Sequence, residues 1–497
     1  MLFLQNKQTR RMKLYFTLIV AAFLSCACPM RAQGIVTLDS CRSLALGNNK
    51  LLRAAEENIA GAGYARKAAK AAYLPAVDLT AGYMWNQHKI NLLGEDAKLP
   101  TMIFDPTTQS YKYDLLLNEG GQPIVDPTTG SPIPKTIAVI PKSAMSYDVH
   151  NVFAGAVTVT QPVYMGGAIR AMNEITKYAE DLARTSRNSA AQEVVYAVDE
   201  TYWLVVSLVQ KCRLAEKYSL LCDSLRYSVN QMYDQGIATK SDCLRVEVKY
   251  NESRVALVKA QNGLTLSRMA LAQICGLPIN TAMTLADEGL DNLVSEAADV
   301  ALAASDSADL RDVYLRRQDL ASLRNGIKLL ESNEKLVKAD MLPKIAIIGA
   351  YKVMNPNMID GFENRFGGGF NLGATFTMPI WHWGGKRNKL KAAQSATIAS
   401  RLQYEDAEEK VGLQVQQARF KYQEAYKTLE MTESNLVSAN ENLDNATYGF
   451  KEGVLTTDDV IAAQTAWLQA HSEKIDAQID VRLCRVYLGK VLGTMNY

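Results

Sequence analysis

The chain carries an internal duplication, and no other feature limits its possible folds as strongly. Ala72-Tyr73-Leu74-Pro75, followed by alternating residues to Tyr83, recurs as Asp340-Met341-Leu342-Pro343 running to Tyr351, an offset of 268 at both Pro and Tyr. Thr160-Gln161-Pro162-Val163-Tyr164-Met165-Gly166-Gly167 recurs as Thr377-Met378-Pro379-Ile380-Trp381-His382-Trp383-Gly384-Gly385, with Pro162 and Pro379 separated by 217. Gly236-Ile237-Ala238-Thr239 matches Gly453-Val454-Leu455-Thr456, and Gly276 matches Gly493, again at 217. The helical lengths are held fixed, and one loop alone absorbs the difference of 51 residues between the two offsets.

Each half follows one order. A helical stretch (Leu38 to Tyr73; Ala308 to Met341) ends at Leu-Pro, two alternating segments follow, then Gly-Gly, then a very long helical stretch with one break. Between Gly167 and Gly236 lie 68 residues with neither Gly nor Pro, rich in Ala, Leu, Lys, Glu and Gln. Such a run can form a single helix of about 100 Å. Val198, Tyr202, Val205, Val209 and Cys212 step by 4, 3, 4, 3, and the stepping resumes at Cys222, Leu225, Val229 and Met232, which is coiled-coil spacing.

The alternating segments point to strands. Val77, Leu79, Ala81, Tyr83 and Trp85 share one face, and Phe153, Gly155, Val157 and Val159 share another. In the second half, Ile345, Ile347, Gly349 and Tyr351 make one face, and Phe370, Leu372, Ala374, Phe376 and Met378 alternate with Asn371, Gly373, Thr375 and Thr377. About ten residues per strand suffice to cross a bilayer at the usual tilt. Tyr164, Trp381 and Trp383 stand where strand meets helix, as interfacial aromatics would. Residues 86 to 151 hold seven of the fourteen Pro and read as a long turn-rich surface loop. Gly367-Gly368-Gly369 has no following Lys-Ser/Thr and is no phosphate cradle.

Composition removes several classes. With 54 Lys plus Arg against 52 Asp plus Glu, the chain lacks the basic excess of a nucleic-acid binder. Its body has no long uncharged apolar run for a spanning helix, whereas a β-barrel leaves no trace in hydropathy. Arg10, Arg11 and Lys13 precede an apolar run from Leu14 to Cys28, which predicts a signal peptide over residues 1–33 and an exported chain of net charge −3. A loosely matching site for lipidation lies at Cys26 or Cys28. Most of the other six Cys fall on apolar helix faces, and they read as small buried hydrophobes. His88, His150, His382 and His471 are isolated from one another, and no nucleophile motif appears, so neither an enzyme nor a metal or cofactor site is expected. The expected layout is a first repeat over 34–276 (strands about 76–86 and 152–161, tip at 236–239) and a linker over 277–304. A second repeat follows over 305–493 (strands about 344–353 and 370–380, tip at 453–456), then a tail at 494–497.

Four strands cannot close a membrane barrel, and an open edge in lipid costs several kcal/mol per unsatisfied backbone group. Copies must therefore pool their strands. Signal peptide, duplicated order and Gly-x-x-Thr turns resemble the TolC-like outer membrane efflux protein family. Leu51-Leu52-Arg53-Ala54-Ala55-Glu56 and Arg317-Gln318-Asp319-Leu320 look like its first-helix pattern. The resemblance implies a mixed α and β membrane protein: a homotrimer whose 12-stranded outer-membrane β-barrel, four strands per chain, continues into a periplasmic α-helical coiled-coil barrel. It further implies an exit duct for efflux of small molecules or type I secretion of proteins, working with a periplasmic adaptor and an inner-membrane transporter of RND or ABC type. The family's entrance acids match Asp459, with Asp458 beside it and Asp242 as the first-repeat counterpart, while Ala462 departs from the acidic pattern and the family's Tyr and Arg latch positions read Phe450 and Leu455. Thr239-x-x-Asp242 and Thr456-x-x-Asp459 are equally capping boxes at a helix start. The competing reading is a secreted coiled-coil scaffold or adhesin without a pore.

Overall fold

The computed structural model describes residues 35–290, 310–357 and 363–495. The expected signal peptide, linker residues 291–304 and the last two residues of the tail lie outside them. The first described elements are β1 (Ile35–Val36), α1 (Leu38–Asn48) and α2 (Lys50–Ala71), followed by β2 (Ala76–Trp85). The loop after β2 holds short strands β3 (Ile90–Asn91), β4 (Ala97–Pro100), β5 (Met102–Asp105), β6 (Ser110–Tyr113), β7 (Ile137–Ile140) and β8 (Ser146–Tyr147). Then come β9 (Asn151–Met165), α3 (Ala168–Asp234), α4 (Lys240–Ile274) and β10 (Thr284–Leu285). The second half supplies α5 (Leu310–Arg316), α6 (Gln318–Ala339), β11 (Lys344–Asn355), β12 (Gly367–Thr377), α7 (Gly385–Lys451) and α8 (Thr457–Val491).

The duplication extends to element boundaries. α2 and α6 are 22 residues each and lie 268 apart; α3 and α7 are 67 residues each and α4 and α8 are 35 each, both pairs 217 apart. Hairpin register is copied as well: Ala76 opposite Thr160 and Trp85 opposite Asn151 become Lys344 opposite Thr377 and Val353 opposite Gly368.

The chain folds as two compact units. One contains residues 66–174 and 332–393 and is built on an antiparallel sheet of order β12-β11-β9-β2. Register produces two unlike faces. Val77, Val159, Gly349 and Leu372 form one row across the sheet, and Leu79, Val157, Tyr351 and Phe370 the next; Asp78, Thr158, Ala350 and Asn371 stand on the other face. Large apolar side chains of the first face, among them Val77, Leu79, Phe370 and Leu372, are exposed.

Two strands differ from expectation. The strand expected at 152–161 runs on to Met165, because beyond Thr160 it pairs with β11 alone and passes Pro162 at a register shift. A Pro without an N–H is tolerated in a strand at such an irregularity. The strand expected at 370–380 occupies 367–377, since β12 is an edge whose one neighbour, β11, gives out at Lys344. Its Gly368 makes room for Tyr351, whose Oη lies 2.6 Å from where a Cβ would stand. The expected loop at 86–151 joins β2 to β9 and carries short strand pairs of its own, with β3 on β8, β4 on β7 and β5 on β6.

The other unit, residues 35–65, 175–290, 310–331 and 394–495 among those described, is helical. Val198, Tyr202, Val205, Val209 and Cys212 are all buried, as are Cys222, Leu225 and Val229, so the 3-4 stepping is the packing stripe. The largest cluster joins Cys41, Ala45 and Leu52 to Val198, Tyr202, Val205, Leu271 and Cys275. Arg42 Nε and Nη2 clamp the buried Asp199 carboxylate at 2.7 and 2.6 Å, pinning α1 to α3. Burial pushes the Asp199 carboxyl up despite that guanidinium. Equivalent anchors recur in both halves: Asn49 Nδ2 donates to the Ile274 carbonyl at 3.1 Å, and Arg317 Nη1 donates to the Val491 carbonyl at 3.2 Å.

Candidate functional site: the paired helix turns

α3 and α7 both end in a Schellman turn. Gly236 and Gly453 adopt φ of +78° and +76°, a left-handed conformation natural to Gly. Ile237 N–H donates to the Met232 carbonyl and Val454 N–H to the Gly449 carbonyl, each at 2.8 Å. The next helix starts at once. Thr239 accepts from Asp242 N–H at 3.2 Å while Asp242 Oδ2 accepts from Thr239 N–H at 3.0 Å and from its hydroxyl at 2.6 Å. Thr456 and Asp459 repeat the set at 3.3, 2.8 and 2.6 Å. Both residue pairs are reciprocal capping boxes, and the Thr hydroxyl and backbone hydrogen bonds hold both Asp carboxyls below the usual carboxylate range.

Neighbouring residues fill out the site. Asp458 Oδ2 accepts from Arg245 Nη1 at 2.5 Å, an exposed ion pair joining the start of α8 to the first turns of α4. Sequence reasoning named Asp458 but missed Arg245, whose partner lies 213 residues away; its one local signal is a basic residue three positions after the cap acid. The residues at the family's latch positions have apolar roles. Phe450 is buried with Leu225, Val229, Cys243, Val246 and Val460, so an apolar cluster joins the two hairpins. Leu455 leans over Gly449, where an added Cβ would stand 2.8 Å from its Cδ1. Ala238 packs against the same cluster, whereas Ile237 and Val454 are 71% and 79% exposed.

In the sheet unit, Tyr164 is the last residue but one of β9, and Trp381 and Trp383 lie between β12 and α7. All three are exposed, and the two indoles meet edge-on with centroids 5.9 Å apart. Among the described residues, no group of three or more His, Cys, Asp or Glu is placed to hold a metal. No described helix is long and apolar enough to cross a membrane.

Exposed β-strands, a duplicated helix plan and twin capped turns agree with what known proteins show. The profile of the outer membrane efflux protein family matches residues 138–277 and 310–494, and the chain belongs to that family. It is similar to outer membrane protein TolC of Escherichia coli (strain K12), 23% identical over 273 residues that make up 54% of each chain. The chain thus spans about half the length of the curated relatives it matches. Among solved structures, the outer-membrane channel OprN superimposes with a TM-score of 0.70 at 14% identity, covering 92% of this chain and 90% of that one. VceC from Vibrio cholerae superimposes with a TM-score of 0.67 at 14% identity, over 92% and 96%. These likenesses establish the TolC-like channel fold.

Proposed function

We propose that the protein is the outer-membrane exit duct of a tripartite efflux or type I secretion system, a passive channel assembled from three copies. One observation carries this reading: a four-stranded sheet with both edges, β2 and β12, unpaired and with one continuous apolar face exposed. Lipid suits that face, and the edges require strands from other copies. Twelve strands, four from each copy, close a barrel wide enough for a lumen, and the Thr, Asn and Gly of the opposite face suit water. Tyr164, Trp381 and Trp383 form the aromatic belt at the bilayer interface. Residues 1–33 direct export, residues 34–276 and 305–493 are the two repeats, and 277–304 links them.

The turns 236–239 and 453–456 receive the tip of a periplasmic adaptor, which couples the duct to an inner-membrane transporter of RND or ABC type. Ile237 and Val454, apolar and exposed at equivalent positions of the two turns, support that docking role. Asp242, Asp458 and Asp459 line the entrance constriction, where three copies of each acid around one axis favour cations. The substrate is selected by the inner-membrane partner.

Purified protein in planar bilayers should give cation-selective conductance and migrate as a heat-sensitive trimer. Stable monomers with no conductance would defeat the duct and favour a poreless coiled-coil scaffold.

A further inference from the structure

We propose that Cys41 and Cys275 form a disulfide bond in the exported protein, stapling α1 to the last turn of the first repeat. The inference rests on the outer-membrane reading for its oxidising compartment, and on geometry for the pairing. Cys41 and Cys275 are both fully buried in one cluster, with Cys275 Sγ 3.6 Å from the Cys41 carbonyl oxygen across 234 residues of sequence. Both are free thiols in the structure, and the Cys275 thiol donates to the Cys41 carbonyl. The backbones around them are already fixed at contact: Asn49 holds the Ile274 carbonyl, and a Cβ on Gly276 would stand 2.6 Å from Asn48 Cβ.

The duplication supplies a control. At offsets of 268 and 217, the corresponding positions of the second repeat are Asp309 and Leu492, and Leu492 is buried with Val313, Leu320 and Val491. A plain hydrophobe therefore satisfies the packing at the position of Cys275, and the first repeat alone carries a thiol at both positions. The other cysteines have separate surroundings: Cys243 lies in the tip cluster, Cys484 beside Val481, and Cys222 Sγ on Gln464 Oε1 at 3.8 Å.

The oxidant is the disulfide of an exported thiol–disulfide oxidase. One Cys thiolate attacks a sulfur of that disulfide, giving a mixed disulfide and releasing the oxidase's other sulfur as a thiolate. The second Cys thiolate then attacks the first Cys sulfur, so the intramolecular bond forms as the oxidase leaves reduced. The two thiol protons pass to the oxidase dithiol, which carries off the electron pair. With both sulfurs inaccessible in the folded chain, the exchange precedes closure of the core. The bond then holds the β1–β10 pairing and α1 against fraying at the start of the described chain.

The test is peptide mapping of full-length protein recovered from the outer-membrane fraction, acid-quenched and alkylated in denaturant, with and without reductant. Without reductant, the Cys41 and Cys275 peptides should be joined and lighter by two hydrogens, while Cys212, Cys222, Cys243 and Cys484 are alkylated. Reductant should lower the melting temperature of the wild type and leave that of C41A/C275A unchanged. Alkylation of both Cys41 and Cys275 without reductant, in a chain that conducts, would overturn the bond and leave the duct standing. A joined pair in a chain without conductance would uphold the bond and sink the duct. Recovery from the cytoplasm alone, with all thiols reduced, would overturn both.

Discussion

Asp242 and Asp459 complete their capping boxes with carboxylates whose hydrogen bonds from the Thr hydroxyl and N–H are strongest while they are ionised. Their folded pKa values lie below the unfolded value of about 3.9. Between the two values the unfolded chain binds more protons, so stability rises with pH across that window. The caps contribute fully above the unfolded value and are lost as pH falls through the folded one. Acid titration followed by hydrogen exchange should therefore show the starts of α4 and α8 opening below about pH 4. Thr456→Ala should lower the stability of the α8 start by about 1 kcal/mol at neutral pH. Exchange at α8 that is unchanged in Thr456→Ala would show the cap to be dispensable. Asp459→Ala separates structure from conduction: reduced cation preference in single-channel recordings is expected, and unchanged selectivity with a looser helix start would leave capping as its one role. Arg245 and Asp458 are about half exposed, so their pair should contribute under about 1 kcal/mol. R245E and D458R singly should alter conductance at the entrance, and the double swap should restore it. Failure of the swap to restore conductance would mean that each charge acts alone.

At the scale of elements, the four long helices were legible almost to the residue. Absence of breakers set the length of α3, and the offset of 217 carried its ends to α7. Strands were legible in type and less so in extent, because β9 gains length from a neighbour in the other repeat and β12 has none beyond β11. At the site, capping boxes were readable as local spacing, whereas Arg245–Asp458 there and Cys41–Cys275 in the core join residues 213 and 234 apart, which no local pattern encodes. Glycine shows the same division. Gly236 and Gly276 have nearly equal φ, +78° and +70°, yet a Cβ at Gly236 meets nothing within 4 Å and one at Gly276 meets Asn48 at 2.6 Å. Gly236→Ala should therefore cost about 1–2 kcal/mol through backbone strain alone. Gly276→Ala adds about 1–3 kcal/mol of overpacking. Denaturant titrations giving equal losses would show that turn conformation, not the α1–α4 contact, sets the requirement. A bulky residue at Gly236 or Gly453 should abolish export while trimers still form.

For the whole molecule, the junction between repeats specifies a junction between copies. β9 and β11 are the last strand of one repeat and the first of the next, and Val159 stands opposite Gly349 with Thr160 opposite Ile348. If three copies close one barrel, β12 meets β2 of a neighbouring copy in the same relation. Shifting by 217 and 268 then places Phe376 opposite Ala81 and Thr377 opposite Thr80 of that copy. The transferred register continues the face pattern, since Leu372 falls beside Trp85 and Thr377 beside Thr80. A slip by one residue would exchange the faces along the whole seam. The same transfer carries β12 past Thr377 through Pro379, as β9 passes Pro162, and gives Trp381 the place that Tyr164 holds opposite Ile345. The shorter β12 of the single chain is then an edge awaiting its partner. A chain carrying Thr80→Cys and Thr377→Cys should yield covalent trimers on mild oxidation in membranes. Met84→Cys with Thr377→Cys, on the same face but four residues out of register, should not. Crosslinking of the displaced pair alone would refute the register. Monomers from both pairs would refute the shared barrel, because the backbone groups of β2 and β12 would then face lipid unpaired, at several kcal/mol each.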